Sequence, residues 1–189
     1  MVTIFINVFT NPDGNTSVHD IKKQLYKKKV EVKDYDTIYY PFFFSKWKVE
    51  YLSFFKKKRK GTTIVAQNSV TGETSFSEIF PKLTKINPKK KLIIPTKYNH
   101  LQTTLFDSKE TIRKYYIHHV RVWNLPSIFL EQKEKVYLPY TILYVHKING
   151  SRKQLLLLEN SSGIISKIND TPVIKKAYDD LLFERREMN

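Results

Sequence analysis

The sequence predicts an α+β fold made of two tandem units, each a helix packed on a small antiparallel sheet, with a further helix at the C-terminal end. Three observations lead to this prediction: an internal repeat of apolar segments, a helix-start signal ahead of each copy, and an amphipathic C-terminal stretch. Helices and sheets with one apolar face bury it by packing on each other. We expect a first, more basic unit at residues 1–95 and a second at residues 96–189, which includes the C-terminal helix.

The repeat is clearest in two segments that contain a Tyr-x-Pro motif. Ile38–Phe44 (IYYPFFF) aligns with Val136–Ile142 (VYLPYTI), 98 positions later. Each is followed by a second apolar run that leads through Asn-Ser to a glycine, Gly72 in the first copy and Gly163 in the second. Glycine readily adopts the positive φ that tight turns require. The pattern predicts a β-hairpin in each half and favours an origin by duplication.

Period-two alternation assigns faces to the first hairpin. Proline cannot donate to a strand ladder, so we expect Pro41 and Pro139 at a strand start or on a sheet edge. One face of the hairpin is the better candidate for the core, with Phe43, Trp47, Val49 and Tyr51, and the half-solvated face has Phe42, Phe44, Lys46 and Lys48.

Capping-box signals indicate the helices. Ser17–Asp20 predicts a helix from Ser17 to about Lys28, because a Ser followed three residues later by an acid satisfies free backbone N–H groups. Asp107–Glu110 is the equivalent signal in the second half. Near the C-terminus, Thr171 and Pro172 suit the start of a helix, and its apolar stripe would be Ile174, Ala177, Tyr178, Leu181 and Leu182.

Composition excludes several classes of function. The chain has no Cys, which removes thiol catalysis, disulfides and Cys-ligated metals. Its 5 Gly form no phosphate-binding loop, and its 5 His show no metal-binding spacing. No nucleophile–base or acid–base pair is evident. We therefore expect a binding protein that is not an enzyme and uses no cofactor or metal. No stretch reaches the roughly 20 apolar residues of a membrane span, and the opening residues lack a secretory signal, so we expect a cytoplasmic protein without a transmembrane segment.

Charge indicates the class of partner. The 189 residues include 33 Lys plus Arg and 18 Asp plus Glu, for a net charge of +15. Such a field attracts polyanions: nucleic acid, an acidic protein or an anionic membrane surface. Five consecutive cations, Lys56–Lys60, fall at the expected tip of the first hairpin beside two aromatic residues. The predicted nucleic-acid-binding residues are Lys56, Lys57, Lys58, Arg59, Lys60, Lys27, Lys28, Lys29, Lys46 and Lys48, with Phe54 and Phe55 as aromatic contacts.

Two other interpretations remain open at this point. The charge run is also typical of a solvated loop with no partner. Alternatively, the chain is a protein-interaction module of a bacterial or phage-like mobile element or of the cell envelope. That module would use an exposed aromatic patch formed by Phe42, Phe44, Tyr140 and Tyr144.

Overall fold

The computed structural model describes residues 6–10, 17–88, 93–98, 100–148 and 153–187. Within these ranges the chain is a mixed α+β fold with three α-helices and a mostly antiparallel sheet of eight strands, which confirms the α+β class. The helices are α1 Val18–Lys27, α2 Leu101–Tyr115 and α3 Pro172–Glu187. The strands are β1 Ile6–Thr10, β2 Val30–Leu52, β3 Lys58–Asn68, β4 Thr74–Ser77, β5 Lys82–Ile86, β6 Ser127–Lys147, β7 Lys153–Glu159 and β8 Ile165–Lys167.

The strand order is β4-β3-β2-β6-β1-β5, with β7 paired to β6 and β8 paired to β7. The chain divides into two compact units that are discontinuous in sequence. These compact units do not coincide with the expected division of the sequence at residue 95. That division concerns the internal repeat and stays a prediction. Unit 1 comprises Met1–Tyr40, Lys82–Ile94 and Tyr137–Asn189, and unit 2 comprises Pro41–Pro81 and Pro95–Val136.

Unit 1 is built around α1 and the β6–β7 hairpin. Ile21 and Leu25 of α1 pack on an aliphatic surface of Leu143, Val145 and Leu158. The predicted start of this helix is confirmed, since the Ser17 hydroxyl accepts a hydrogen bond from the His19 N–H at 3.1 Å. The C-terminal helix is also confirmed, and its buried residues are Ile174, Ala177, Tyr178 and Leu181.

Unit 2 is built around α2 and the β2–β3 hairpin. Ile112 of α2 and Tyr116, which follows it, pack on Trp47, Val49 and Val65. Each helix thus packs on a hairpin from the other half of the chain. The expected tandem units would place each helix only on the sheet of its own half, and the observed packing differs, because an amphipathic stripe predicts that a face is buried but not which sheet buries it.

The predicted start of α2 at Asp107 is wrong. The helix begins at Leu101, and its buried face is formed by Thr104, Ser108 and Ile112. The Ser108 hydroxyl donates to the Thr104 carbonyl at 2.8 Å, which allows these polar side chains to be buried inside the helix contact. The first two turns of α2 have polar residues on their buried face, so they lack the apolar periodicity that predicts a helix.

The two Tyr-x-Pro prolines lie within the long strands β2 and β6, so their expected place at a strand start or sheet edge is wrong. Their rings remove one ladder donor each, but their carbonyl groups still accept hydrogen bonds. The Pro41 carbonyl accepts from the Ser69 N–H at 3.1 Å, and the Pro139 carbonyl accepts from the Asn160 N–H at 3.2 Å. The glycine turns beyond these contacts are confirmed, with φ of 82° at Gly72 and 72° at Gly163.

Candidate functional site

The predicted tip of the first hairpin is the turn Ser53–Lys57. The Ser53 N–H donates to the Lys57 carbonyl at 2.9 Å, and the Lys56 N–H donates to the Ser53 carbonyl at 2.7 Å. Lys56 has a φ of 57°, the left-handed conformation that completes the turn. The two central residues project outwards, with Phe54 66% and Phe55 81% exposed. The backbone of the turn is therefore fixed while its aromatic side chains face solvent.

A third aromatic ring joins this turn from a distant part of the sequence. The chain leaves α2 through a π-helical turn, Tyr116–Val120, and reverses at Arg121, whose φ is 55°. The Trp123 N–H then donates to the Leu52 carbonyl at 2.9 Å. The Asn124 side chain accepts from the Leu52 N–H at 3.1 Å. These two bonds hold Trp123 beside the end of β2.

We call Phe54, Phe55 and Trp123 the aromatic tip. The Phe54 ring lies 5.7 Å from Phe55 and 6.4 Å from Trp123, centroid to centroid, in edge-to-face contacts. The Lys56 ammonium lies 4.7 Å from the centroid of the Trp123 ring, a cation–π contact. Trp123 is 56% exposed. Sequence reasoning found the two phenylalanines and missed the tryptophan, since no local pattern links it to the turn.

Four cations of the hairpin share a face. Lys58 pairs across the ladder with Leu52, and Lys60 pairs with Glu50. Residues directly opposite in an antiparallel ladder point to the same side. Alternation then places one basic face on the hairpin, made of Lys46, Lys48, Lys58 and Lys60.

Glu50 lies in the middle of this basic face. Its carboxylate is 3.1 Å from the Lys48 ammonium and 3.4 Å from the Lys60 ammonium. These contacts, led by the Lys48 hydrogen bond, lower the pKa of Glu50. Lys46 lies 3.7 Å from Glu131. In the part of the chain that the structure describes, Lys57, Lys58 and Arg59 are exposed and form no ion pair.

The second predicted cluster, Lys27–Lys29, lies at the end of α1 in unit 1. The Lys28 N–H donates to the Leu25 carbonyl, and the Lys29 N–H donates to the Tyr26 carbonyl, both at 2.9 Å. Cations at a helix C-terminus are stabilised by the helix dipole. This cluster therefore has a structural role, and its contribution to binding stays a prediction.

The aromatic residues of the protein-interaction alternative are not exposed. Phe44 is 7% exposed and packs edge-to-face on Phe80 at 6.4 Å. Phe42 and Tyr140 are half-buried, and burial raises the pKa of the Tyr140 hydroxyl above its usual range. Tyr144 is also half-buried. The alternative is left without the exposed patch on which it depended.

Tyr144 belongs to a polar cluster in unit 1. The Tyr178 hydroxyl donates to the Asp36 carboxylate at 2.7 Å, and the Tyr144 hydroxyl donates to the same oxygen at 3.1 Å. The two hydroxyl oxygens also lie in contact with each other. Burial, followed by these hydrogen bonds, raises the pKa of Tyr178, and burial raises the pKa of Tyr144. The cluster joins α3 to β2 and β6, and its two tyrosine hydroxyls stay protonated at physiological pH.

The remaining histidines with described contacts lie on the π-helical turn and on β6. His118 and His119 lie on the π-helical turn and are exposed, and the His119 ring stacks on Tyr115 at 5.3 Å. His146 lies 3.1 Å from Glu31. Among the described residues no group of three His, Asp or Glu side chains could hold a metal ion, and none of the described helices is long and apolar enough to cross a membrane.

No family model matches the chain, and no curated protein or solved structure matches it either.

Proposed function

We propose that the protein binds nucleic acid through the β2–β3 hairpin. The observation that supports this is the basic face of Lys46, Lys48, Lys58 and Lys60, continued at the turn by further exposed cations. A two-stranded ribbon can lie along a nucleic acid with its cations against the phosphates. The net charge of +15 adds long-range attraction for the same partner.

Three exposed cations that form no ion pair with the described residues, Lys57, Lys58 and Arg59, matter most for this function. Lys57, Lys58 and Arg59 can contact phosphates without first breaking a contact within the described chain. Lys48 and Lys60 share Glu50, whose carboxylate holds their ammonium groups in place but weakens the local field. We therefore expect the turn and the first residues of β3 to provide the main phosphate contacts, with Lys46 and Lys48 contributing less.

A charge-neutralising variant tests the proposal. Lys57, Lys58, Arg59 and Lys60 are replaced together by Gln, leaving Lys56 in its contact with Trp123. Binding to a fluorescently labelled 20-nucleotide strand is titrated at low and moderate salt. Each lost phosphate contact should reduce the slope of log K against log salt by roughly 0.7–0.9. The melting temperature should barely change, because exposed charges contribute less than about 0.5 kcal/mol each.

A matched control removes the same charge elsewhere. Lys114, Lys133, Lys167 and Lys176 are all exposed and lie outside the hairpin. Their replacement by Gln should leave most of the affinity intact. Equal losses in the two variants would show that only the net charge matters. Wild-type affinity in the hairpin variant would overturn the proposed function.

We also propose that the two halves of the chain arose by duplication. The parallel bridges support this: Tyr39 pairs with Ile93, and Tyr137, 98 positions after Tyr39, pairs with Val8. The hydrogen bonds from the Gly72 and Gly163 N–H groups close equivalent turns at 2.8 Å. The cation run is present only in the first copy of the sequence, so the proposed binding function belongs to one copy.

A further inference from the structure

The aromatic tip exposes more apolar surface than the fold requires. Turn positions usually hold Gly, Asn, Asp or Ser, which suit the backbone and are soluble. Here the centre of the turn holds two phenylalanines that are 66% and 81% exposed, and a tryptophan that is 56% exposed lies against them. None of the three rings belongs to the hydrophobic core cluster of unit 2. Large exposed aromatics in one place mark a binding surface.

The backbone beneath these rings is held in place before any ligand binds. Two hydrogen bonds close the turn, and two more attach Trp123 and Asn124 to Leu52. In an edge-to-face contact only one of the two rings has a face covered, so ring faces remain open to solvent. The ammonium of Lys56 sits over Trp123 and brings positive charge to the same surface. Open aromatic faces next to cations are the two components of a single-strand binding platform.

We propose that the aromatic tip stacks on unpaired bases, so that the protein prefers single-stranded over double-stranded nucleic acid. This inference rests on the proposed function. Bases in a duplex already stack on one another, and only an unpaired base offers its face to a side chain. Phosphates of the same strand would lie along Lys57, Lys58 and Arg59, which adjoin the tip in sequence.

The position of the cations favours a nucleic acid over a lipid bilayer as the occupant. A hairpin that inserts into a membrane needs an apolar apex, since charge is costly to bury in hydrocarbon. In this turn Lys56 and Lys57 follow directly after the two phenylalanines, and the Lys56 ammonium lies over the Trp123 ring, so that insertion of the rings would bring these charges to the hydrocarbon boundary. A nucleic acid can contact the rings and the cations at once, because the rings stack on bases while the cations pair with phosphates.

The experiment measures the affinity of a single strand and of a duplex of the same sequence for three proteins: the wild type, a test variant and a control variant. The test variant replaces Phe54, Phe55 and Trp123 by Leu, which keeps apolar bulk but removes the stacking faces. The matched control replaces Phe106, Phe129 and Phe183 by Leu, since these rings are 63%, 52% and 62% exposed and lie elsewhere. We expect the test variant to lose about tenfold in single-strand affinity per ring, with duplex affinity unchanged. The control should behave as wild type.

Tryptophan fluorescence provides a second measurement that needs no substitution. Trp47 is 4% exposed and Trp123 is 56% exposed, so quenching by an added single strand reports mainly on Trp123. We expect quenching by the single strand and little by the duplex. If the triple variant does not fold, the single change Phe55→Leu at the most exposed ring replaces it, with an expected loss of about tenfold.

The possible outcomes distinguish failure of the base-stacking inference from failure of the proposed nucleic-acid binding. Equal wild-type affinity for single strand and duplex, weakened in both cases by the Gln variant, would overturn the base-stacking inference and keep the proposed function. Absence of binding to either nucleic acid at low salt would overturn both. Binding to vesicles containing phosphatidylserine, reduced by the Leu variant, together with no preference for single strands, would identify the tip as a membrane anchor and overturn the inference.

Discussion

The two helix–hairpin packings have the same plan and different chemistry. In unit 1, α1 covers β6–β7 through aliphatic side chains alone. In unit 2, α2 covers β2–β3 through a core that includes Trp47 and Tyr116. The aromatic core of unit 2 also contains polar atoms. The Tyr116 hydroxyl oxygen lies 3.4 Å from the Thr63 hydroxyl oxygen. The buried Trp47 Nε1 has no acceptor among the described residues. The difference shows that an aromatic core contains polar groups that need partners, whereas an aliphatic core contains none.

The backbone of unit 2 has an irregular segment next to its aromatic core. The helix gives way to a π-helical turn at Tyr116, whose ring packs edge-to-face on Tyr51 at 5.0 Å. π-Helical turns are rare and occur frequently near functional sites. Here the turn leads to the reversal at Arg121 that directs Trp123 to the hairpin tip. The aromatic core and the aromatic tip are therefore linked by one short segment of backbone.

Truncation of the two cores should give the largest effects. Trp47→Ala should lower the free energy of unfolding by about 3–5 kcal/mol, and Leu143→Ala by about 2–5 kcal/mol, because both side chains are buried and leave cavities. Trp47→Phe should cost much less than Trp47→Ala, since the indole N–H gives up no hydrogen bond within the described chain. Urea unfolding measures all three. A Trp47→Phe loss as large as that of Trp47→Ala would show that the indole N–H is satisfied in solution.

High pH should weaken the polar cluster of unit 1. The pKa values of Tyr178 and Tyr144 are raised by burial, so the folded protein keeps these protons while the unfolded chain releases them near pH 10. Their contribution to stability is complete below pH 10 and declines as pH rises above it. Denaturation at pH 8–11 should show this decline, and Tyr178→Phe should make it shallower. The exposed Tyr26, changed to Phe, serves as the control. An unchanged slope in Tyr178→Phe would contradict the argument.

The smallest expected effect concerns the close approach of Gly61 to Tyr116. A Cβ at Gly61 would lie 3.0 Å from the Tyr116 hydroxyl oxygen, closer than ordinary van der Waals contact. Gly61→Ala should therefore destabilise the wild type by about 1 kcal/mol, within the usual range for overpacking. In a Tyr116→Phe background, which removes the hydroxyl, the same change should be neutral or stabilising. A double-mutant cycle from thermal melts measures the coupling, and additive effects would show that the ring moves aside freely.

Much of the fold followed from local patterns in the sequence. The start of α1, the extent of α3 and the two glycine turns depend on short-range chemistry at Ser17, Pro172, Gly72 and Gly163. The alternation that placed Trp47 and Val49 in the core is confirmed by their burial, but Phe44, expected on the half-solvated face, is also buried, because it packs on Phe80. These features were predictable because capping, turn conformation and strand alternation are decided by residues close together in the chain.

Other features depend on tertiary contacts and were not predictable. Nothing in the stripe of Ile21 and Leu25 indicates that they pack on β6–β7. The buried Ser108 resembles a surface residue until its bond to the Thr104 carbonyl is seen. Trp123 reaches the candidate site through hydrogen bonds to Leu52, which is distant in sequence. The cations and phenylalanines of the tip could be found from the sequence, whereas the ring that completes it could not.

The lengths of the strands bear on how the protein resists self-association. Within the described residues β4, β5 and β8 each pair with a single neighbour, and they are only 4, 5 and 3 residues long. Short outer strands present few free backbone groups to another chain. Behind β4 lies β3 with 11 residues, paired to β2 with 23. β4 covers only Ile64–Gln67 of β3, and the rest of that edge begins with the cations Lys58–Lys60, so a short strand and a charged stretch together disfavour intermolecular strand addition.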